Sequence, residues 1–231
     1  MNEQDKLLAE QYAKEIRASL NSWGGYPVHE NSILFLAFAY SMISKVELLV
    51  SDDAFNFMNA MKAIEVEPGL YHRYPGCTLR EAHDNYVGIS YLSSLLDQWS
   101  YAEDIVEYGE DHLWNYNDQD PGVYDIKCQR QPGEIALYDI AAGRSPGLFT
   151  CTWLAIGLST ASTGVLAWLR ADLIKANLHN LGWLKRKMLE IAIDKLNKRW
   201  CNDLGKTWTS HFCTYFGEDS PIAKLAVLLK L

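Results

Sequence analysis

The sequence predicts an all-α protein, folded as a single compact domain of helical hairpins over residues 1–231. Apolar side chains recur at steps of three and four residues in several segments, which is typical of amphipathic helices. Thr78 and Ser100 are each followed three residues later by glutamate, which is a signal for the start of a helix. Clusters of β-branched residues are few, so an extensive sheet is not expected.

The first part of the chain contains three predicted helices. Residues 3–20 have an amphipathic pattern, and residues 30–49 form a strongly apolar stretch that we expect in the core. Ser51 is predicted to cap a third helix that ends near Ile64, ahead of Pro68-Gly69. The residues that follow, 69–76, are expected to form an irregular loop.

Two more helices are predicted in the middle of the chain. A capping box over 78–81 begins a helix that extends to about Asp97, and a second one over 100–103 begins a helix that extends to about Trp114. Residues 115–133 contain two Pro-Gly pairs and are predicted to form a long loop.

The segment from 145 to 169 contains no charged residue. Ser145-Pro146 is predicted to begin its helix, which extends to about His179 and lies buried at the centre of the domain. A membrane-inserting helix is the alternative, because the segment is long enough to span a bilayer. Gly157 and Gly164 are predicted to let a neighbouring helix approach closely. A basic helix over 183–204 and a short last helix from Ser220-Pro221 complete the prediction.

Composition excludes several classes of protein. The net charge of -8 argues against non-specific binding of nucleic acid, which needs a basic surface. The five cysteines are widely spaced and form no C-x-x-C motif, so we expect reduced thiols rather than disulfides or a zinc ribbon. Residues 1–6 lack the features of a signal peptide, so a cytoplasmic protein is expected. No metal site and no cofactor is predicted.

Charge is distributed unevenly along the chain. Residues 97–125 contain nine acidic residues and no lysine or arginine, whereas residues 170–206 contain nine basic and four acidic residues. One interpretation is two solvated helix faces. The other is a pair of complementary surfaces, which would meet within one molecule or between subunits.

The densest cluster of polar and aromatic residues comprises Tyr71, His72, Arg73, His83 and Asp84. A histidine, an arginine and a carboxylate that converge can bind an anion or perform acid–base chemistry. The alternative is a structural brace in which Asp84 pairs with Arg73 or with the arginine at position 80.

A second cluster lies between positions 114 and 134. Its aromatic and acidic members are Trp114, Tyr116, Asp118, Asp120, Tyr124, Asp125 and Glu134. Aromatic rings beside carboxylates suit the recognition of sugars, and two carboxylates at a suitable separation allow glycoside hydrolysis. The alternative is an acidic surface loop whose aromatic side chains pack into the core.

One pair of motifs resembles a known group of proteins. Residues 69–76 read G-L-Y-H-R-Y-P-G and residues 82–89 read A-H-D-N-Y-V-G-I. Uncharacterised proteins of tailed bacteriophages carry a similar G-L-Y/F-x-R-x-P-G loop and S-H-D-x-x-x-G-I helix. The motifs cover about a tenth of the chain, and Ala82 replaces the usual serine, which weakens a catalytic role for that position. The resemblance implies a phage origin. The helical hairpins are also similar to part of an α/α toroid of the glycosidase type.

The sequence therefore predicts a phage-encoded protein that acts by protein–protein interaction, including self-association, in the virion or in the cytoplasm of the bacterial host. The alternatives are a carbohydrate-active hydrolase that uses a cleft with a carboxylate and a histidine, and a membrane-active protein. The catalytic candidates are His83, Asp84 and Glu134. The binding candidates are Tyr71, His72, Arg73, Trp114, Tyr116, Asp118, Asp120 and Tyr124.

Overall fold

The computed structural model describes residues 2–27, 31–77, 83–160, 164–199 and 207–230. Across these residues the protein is all-α, as predicted. The α-helices are α1 (Glu3–Ala18), α2 (Ser32–Lys45), α3 (Ser51–Ile64), α4 (His83–Leu95), α5 (Trp99–Asp111), α6 (Pro132–Ala141), α7 (Leu148–Thr160), α8 (Gly164–Asn177), α9 (Trp183–Lys198), α10 (Trp208–Phe216) and α11 (Pro221–Leu228). The strands β1 (Glu65–Glu67) and β2 (Leu70–Tyr71) form a short antiparallel hairpin.

The helix at the centre of the core is α2, and not the segment 145–169. Twelve of the fourteen residues of α2 are buried, because nearly all of its side chains are apolar and it packs against helices on several sides. In α7 only Cys151, Leu154, Ala155 and Leu158 are buried. The prediction of one buried central helix over 145–169 was therefore wrong for the α7 part, whereas residues 164–169 at the start of α8 are mostly buried.

The predicted helix from Ser145 to His179 is divided between α7 and α8, and residues 161–163 lie outside the described ranges. Helix α7 begins at Leu148, so Ser145 does not cap it. The Ser145 hydroxyl instead accepts a hydrogen bond of 2.9 Å from Lys185 Nζ. The predicted capping box at 78–81 also lies outside the described ranges.

Helices α2 and α4 pack closely, and Gly88 makes this approach possible. A Cβ atom at Gly88 would lie 2.7 Å from the backbone O of Ile33 and 2.7 Å from the backbone N of Leu34. Gly157 does not have the role predicted for it, because nothing lies within 4 Å of its Cβ position. The two glycines look alike in the sequence, since both lie in helical segments, although only Gly88 contacts a neighbouring helix.

Helices α6 and α10 and the β-hairpin were not predicted. Pro132-Gly133 resembled the end of a loop, but Pro132 occupies the first turn of α6, where a missing N–H costs nothing. At the other end of the chain, the prediction for Ser220-Pro221 is confirmed. The Ser220 hydroxyl accepts a hydrogen bond of 3.1 Å from the Ala223 N–H, and α11 then packs against α1.

None of the helices in the described ranges combines the length and hydropathy that are needed to cross a bilayer.

Candidate functional site

The structure brings His83 and Glu134 together in a cleft between α4, α6, α7 and α8. The cleft has a volume of about 410 Å³, and its walls include Trp153, Ile156 and Arg170. His83 and Glu134 were predicted as catalytic candidates in separate clusters, and fifty-one positions separate them in the sequence. Their contact makes this cleft the first candidate for a functional site.

Glu134 is held in place by its own helix and by its neighbours. Its Oε2 accepts a hydrogen bond of 3.0 Å from the Gln131 N–H, which satisfies a free donor at the start of α6. His83 Nδ1 lies 3.1 and 3.2 Å from the two carboxylate oxygens, and Arg170 Nη2 lies 3.7 Å from Oε1. Only 9% of the Glu134 side chain is exposed. Both oxygens of the carboxylate therefore have partners within the protein.

His83 has an acceptor at each ring nitrogen. Besides the carboxylate at Nδ1, the backbone O of Lys127 lies 3.2 Å from Nε2. Both ring nitrogens therefore lie within hydrogen-bond distance of groups of the protein itself. The arrangement is that of a brace that links α4 to α6 and to the loop before it.

The protonation state of Glu134 supports the same interpretation. Burial alone would raise its pKa, but the hydrogen bond and charge of His83, with the charges of Arg130 and Arg170, lower the pKa to about 2. A carboxyl with this pKa is ionised near neutral pH and cannot serve as a general acid there. Among the described residues that line the cleft, Glu134 is the one carboxylate. A glycosidase mechanism needs two carboxylates, and the described lining of this cleft supplies one of them.

Sequence reasoning missed Arg130, which lies behind the cleft. It is 2% exposed, and its guanidinium carbon lies 4.6 Å from the ring centroid of Tyr86 and 4.7 Å from that of Tyr116. These are cation–π contacts in a buried setting. No local signal marks this residue, because its neighbours Gln129 and Gln131 are typical of a polar surface loop.

Several predicted binding residues are part of the core and cannot be reached by a ligand. Tyr71 and Tyr116 are 0% and 1% exposed, and the Tyr116 hydroxyl donates a hydrogen bond of 2.6 Å to the Ile105 carbonyl. Asp118 is also buried, and its Oδ2 lies 2.9 Å from His72 Nδ1. These three residues hold the loops together, which corrects their assignment to a binding surface.

A side-chain hydrogen bond links the two motifs, and it comes from Asn85. This residue is buried, and its Nδ2 donates a hydrogen bond of 2.8 Å to the backbone O of Arg73. The predicted brace named Asp84, with Arg73 or the arginine at position 80 as its partner, and position 80 lies outside the described ranges. A link between the loop and α4 is thus made one position after Asp84.

The remaining predicted residues do not form one aromatic platform. Tyr124 and Asp120 are exposed, whereas Trp114 is half-buried. Tyr124 lines a second cavity of about 220 Å³ together with Asp111 and Leu113, away from the His83–Glu134 pair. Among the described residues, no group of three or more histidine, cysteine, aspartate and glutamate side chains is arranged to hold a metal ion.

The second candidate surface, which we call the apolar–basic face, lies on α7 and α9. Its exposed apolar residues are Leu148, Phe149, Trp153, Ile156, Trp183, Leu184 and Ile191. A groove of about 320 Å³ separates the two helices, and Ile156 and Ile191 are on its opposite sides. The exposed basic residues of α9 border this face, and they are Arg186, Lys187, Lys195 and Lys198.

The chain therefore has two candidate sites, the His83–Glu134 cleft and the apolar–basic face, and Trp153 and Ile156 border both of them. Searches against protein-family models, curated proteins and solved structures gave no match for this chain.

Proposed function

We propose that this chain is a phage-encoded helical protein that acts by protein–protein contact through its apolar–basic face. The phage assignment rests on the resemblance of residues 69–76 and 82–89 to proteins of tailed bacteriophages. The bacterial cytoplasm and the virion are the two places where such a protein acts.

The observation that supports this function is the exposure of large apolar side chains on α7. Phe149, Trp153 and Ile156 recur at four- and three-residue steps, so they form one outward stripe, with exposed fractions of 67%, 48% and 47%. A contiguous apolar patch on a folded protein is typical of an interaction site. Tryptophan and phenylalanine are also enriched in protein interfaces, where they supply much of the binding energy.

The His83–Glu134 cleft supports the hydrolase alternative less well. Its histidine has both nitrogens in contact with acceptors, and its carboxylate has a pKa of about 2. Both groups are better suited to holding the helices in place than to exchanging protons with a substrate.

Site-specific photo-crosslinking tests the proposed function. We would introduce Trp153→p-benzoylphenylalanine, express the chain in bacterial cells, and irradiate them. A discrete protein adduct from position 153 is the expected result. The matched control is Phe55→p-benzoylphenylalanine, because Phe55 is an exposed aromatic residue on α3, away from α7 and α9. Equal labelling from both positions, or no adduct from position 153, would contradict the proposal.

A further inference from the structure

We infer that the partner of the apolar–basic face is a second copy of this chain, which docks a complementary acidic surface there to form a two-fold dimer. This inference rests on the proposed function, since it names the protein that the apolar–basic face contacts.

The chain carries a second surface of the opposite charge, which we call the apolar–acidic face. Its exposed acidic residues are Glu103, Glu107, Glu110, Asp111 and Asp120, and its exposed apolar residues are Leu113, Val123, Tyr124 and Ile126. Helix α5 contains five acidic and no basic residues. Arg144 pairs with two of them, Glu107 and Glu110, so the helix keeps a net negative charge.

The two faces match in chemistry as well as in sign. Each has an apolar part and a charged margin. The margin on α9 is net positive although Glu190 pairs with Arg186 and Lys187. Lys195 and Lys198, near the end of α9, have no ion-pair partner among the described residues. Helix α7 carries no charge, and the basic margin comes from α9, so a docked acidic face would bury its apolar residues against α7 and place its carboxylates beside lysines. Opposite charges at the margin of an interface favour the correct pairing and speed association.

The two faces are joined at residues 144–146, which is the observation that favours a closed dimer. Arg144 Nη1 lies 3.3 Å from Glu110 on the acidic side. Two residues later, Lys185 Nζ from the basic side bonds to Ser145 Oγ and to the Pro146 carbonyl. A two-fold axis near this junction would set each basic half on the acidic half of the other copy. The same surface of each copy then forms the dimer, with two equivalent contacts between a basic half and an acidic half, as in an isologous dimer.

The charge of the chain favours a protein partner over a lipid surface. Aromatic and basic residues on one helical face also occur in helices that lie on membranes. However, the chain has a net charge of -8, and the apolar–acidic face meets the apolar–basic one at residues 144–146. An anionic bilayer would repel that acidic half, whereas a second copy would attract it.

Sedimentation velocity on the full chain provides the first test. We expect a concentration-dependent change from monomer to dimer, and weaker association at high salt, because salt screens the charged margins. A chain that stays monomeric at every concentration would overturn the inference. In that case an adduct to another protein at position 153 would still support the proposed function, so the two failures can be told apart.

Charge reversal provides the second test. Lys195→Glu changes the basic half and Asp111→Lys changes the acidic half, and both residues are exposed. We expect each variant alone to dimerise at least about tenfold more weakly. An equimolar mixture should regain dimer, because the unchanged acidic half of one variant meets the unchanged basic half of the other, and the reversed charges attract each other.

The matched controls for charge reversal are Lys14→Glu and Glu10→Lys on α1, which are exposed and lie outside both faces. They should dimerise as the parent chain does. A mixture of the two face variants that stays monomeric would overturn the inference. The inference would also fail if the parent chain bound phosphatidylglycerol vesicles as a monomer and Lys195→Glu abolished that binding.

Discussion

At the scale of single residues, two partly exposed histidines contact buried carboxylates that are far away in the sequence. His72 contacts Asp118 before α6, and His83 contacts Glu134 in the first turn of α6, so the loop after β2 and the start of α4 are both held by this region. These contacts join the two clusters that the sequence predicted as separate sites.

Glu134 is predicted to make the stability of the protein sensitive to acid. Its pKa is about 2 in the folded protein against an ordinary 4.5, so the folded state binds fewer protons than the unfolded state between these values. Its contribution, about 3 kcal/mol, is complete above pH 4.5 and is lost as the pH falls towards 2. Chemical denaturation at a series of pH values measures this dependence.

Glu134→Gln should flatten that acid dependence and lower the free energy of unfolding at pH 7 by about 3 kcal/mol, because His83 and two arginines lose their counter-ion. Glu110→Gln is the control. It removes an exposed contact with Arg144, so a change below about 0.5 kcal/mol is expected. Equal effects from the two substitutions would contradict the assigned role of Glu134.

Asp139 is predicted to make the protein less stable as the pH rises, which is opposite to the pH dependence caused by Glu134. Burial raises the pKa of Asp139 to about 6, although the charges of Arg144 and Lys185 oppose this shift. The folded state therefore holds the proton more tightly than the unfolded state, and this contribution to stability is lost as the pH rises from about 4 to 6. Asp139→Asn should therefore raise the free energy of unfolding at pH 7, by about 1 kcal/mol after allowance for its partial exposure. Thermal unfolding of the variant and of the parent chain at pH 5 and pH 7 measures this change. A variant that is less stable than the parent at pH 7 would contradict the raised pKa of Asp139.

The sequence identified several of these residues but not their contacts. His83 and Glu134 were candidates because of their chemistry, yet no local pattern relates positions that are fifty-one residues apart. Asp84 was predicted to form the brace, whereas the hydrogen bond to the Arg73 carbonyl comes from Asn85, and successive helical positions differ by about 100° in direction. Which of them faces the core depends on how the helix is turned against its neighbours.

At the scale of elements, the end of a helix was predicted better than its start. Helix α3 ends at Ile64 as expected, but its N-cap is Val50 and not Ser51, and α6 begins at a Pro-Gly pair that resembled a loop. The uncharged segment 145–169 was predicted to be buried because it lacks charge. Composition alone does not distinguish a helix covered by its own chain from one whose outer face stays exposed.

The contrast between Gly88 and Gly157 gives a prediction at this scale. Gly88→Ala should destabilise the protein by about 3 kcal/mol, since the new Cβ would meet the backbone of α2. Gly157→Ala meets open space in a helix, so it should stabilise the protein by up to about 1 kcal/mol. Urea denaturation of both variants tests this, and similar effects from the two would show that α2 and α4 are packed differently.

At the scale of the whole molecule, the core is continuous from the first helix to the last. Ala9 and Ile16 of α1 and Leu225 of α11 belong to the same buried cluster as α2 and α4. The single all-α domain was predictable because it depends on pattern and length. The identity of the central helix was not, because it depends on which apolar faces meet.

Leu225→Ala tests the unity of this core. Leu225 is fully buried, so its truncation should cost about 3 kcal/mol. Because α11 shares its core with α2, we expect one unfolding transition, shifted equally in circular dichroism and in tryptophan fluorescence. Two separate transitions would show that the C-terminal helices fold apart from the rest.

The packing of α1 against α11 has a practical consequence for engineering. A flexible linker would connect residue 230 to residue 2. New termini opened at the exposed Pro121-Gly122 turn would then give a circular permutant with the same helical neighbours. Such a rearranged chain would carry fusion tags beside the apolar–acidic face and keep the contact between α1 and α11.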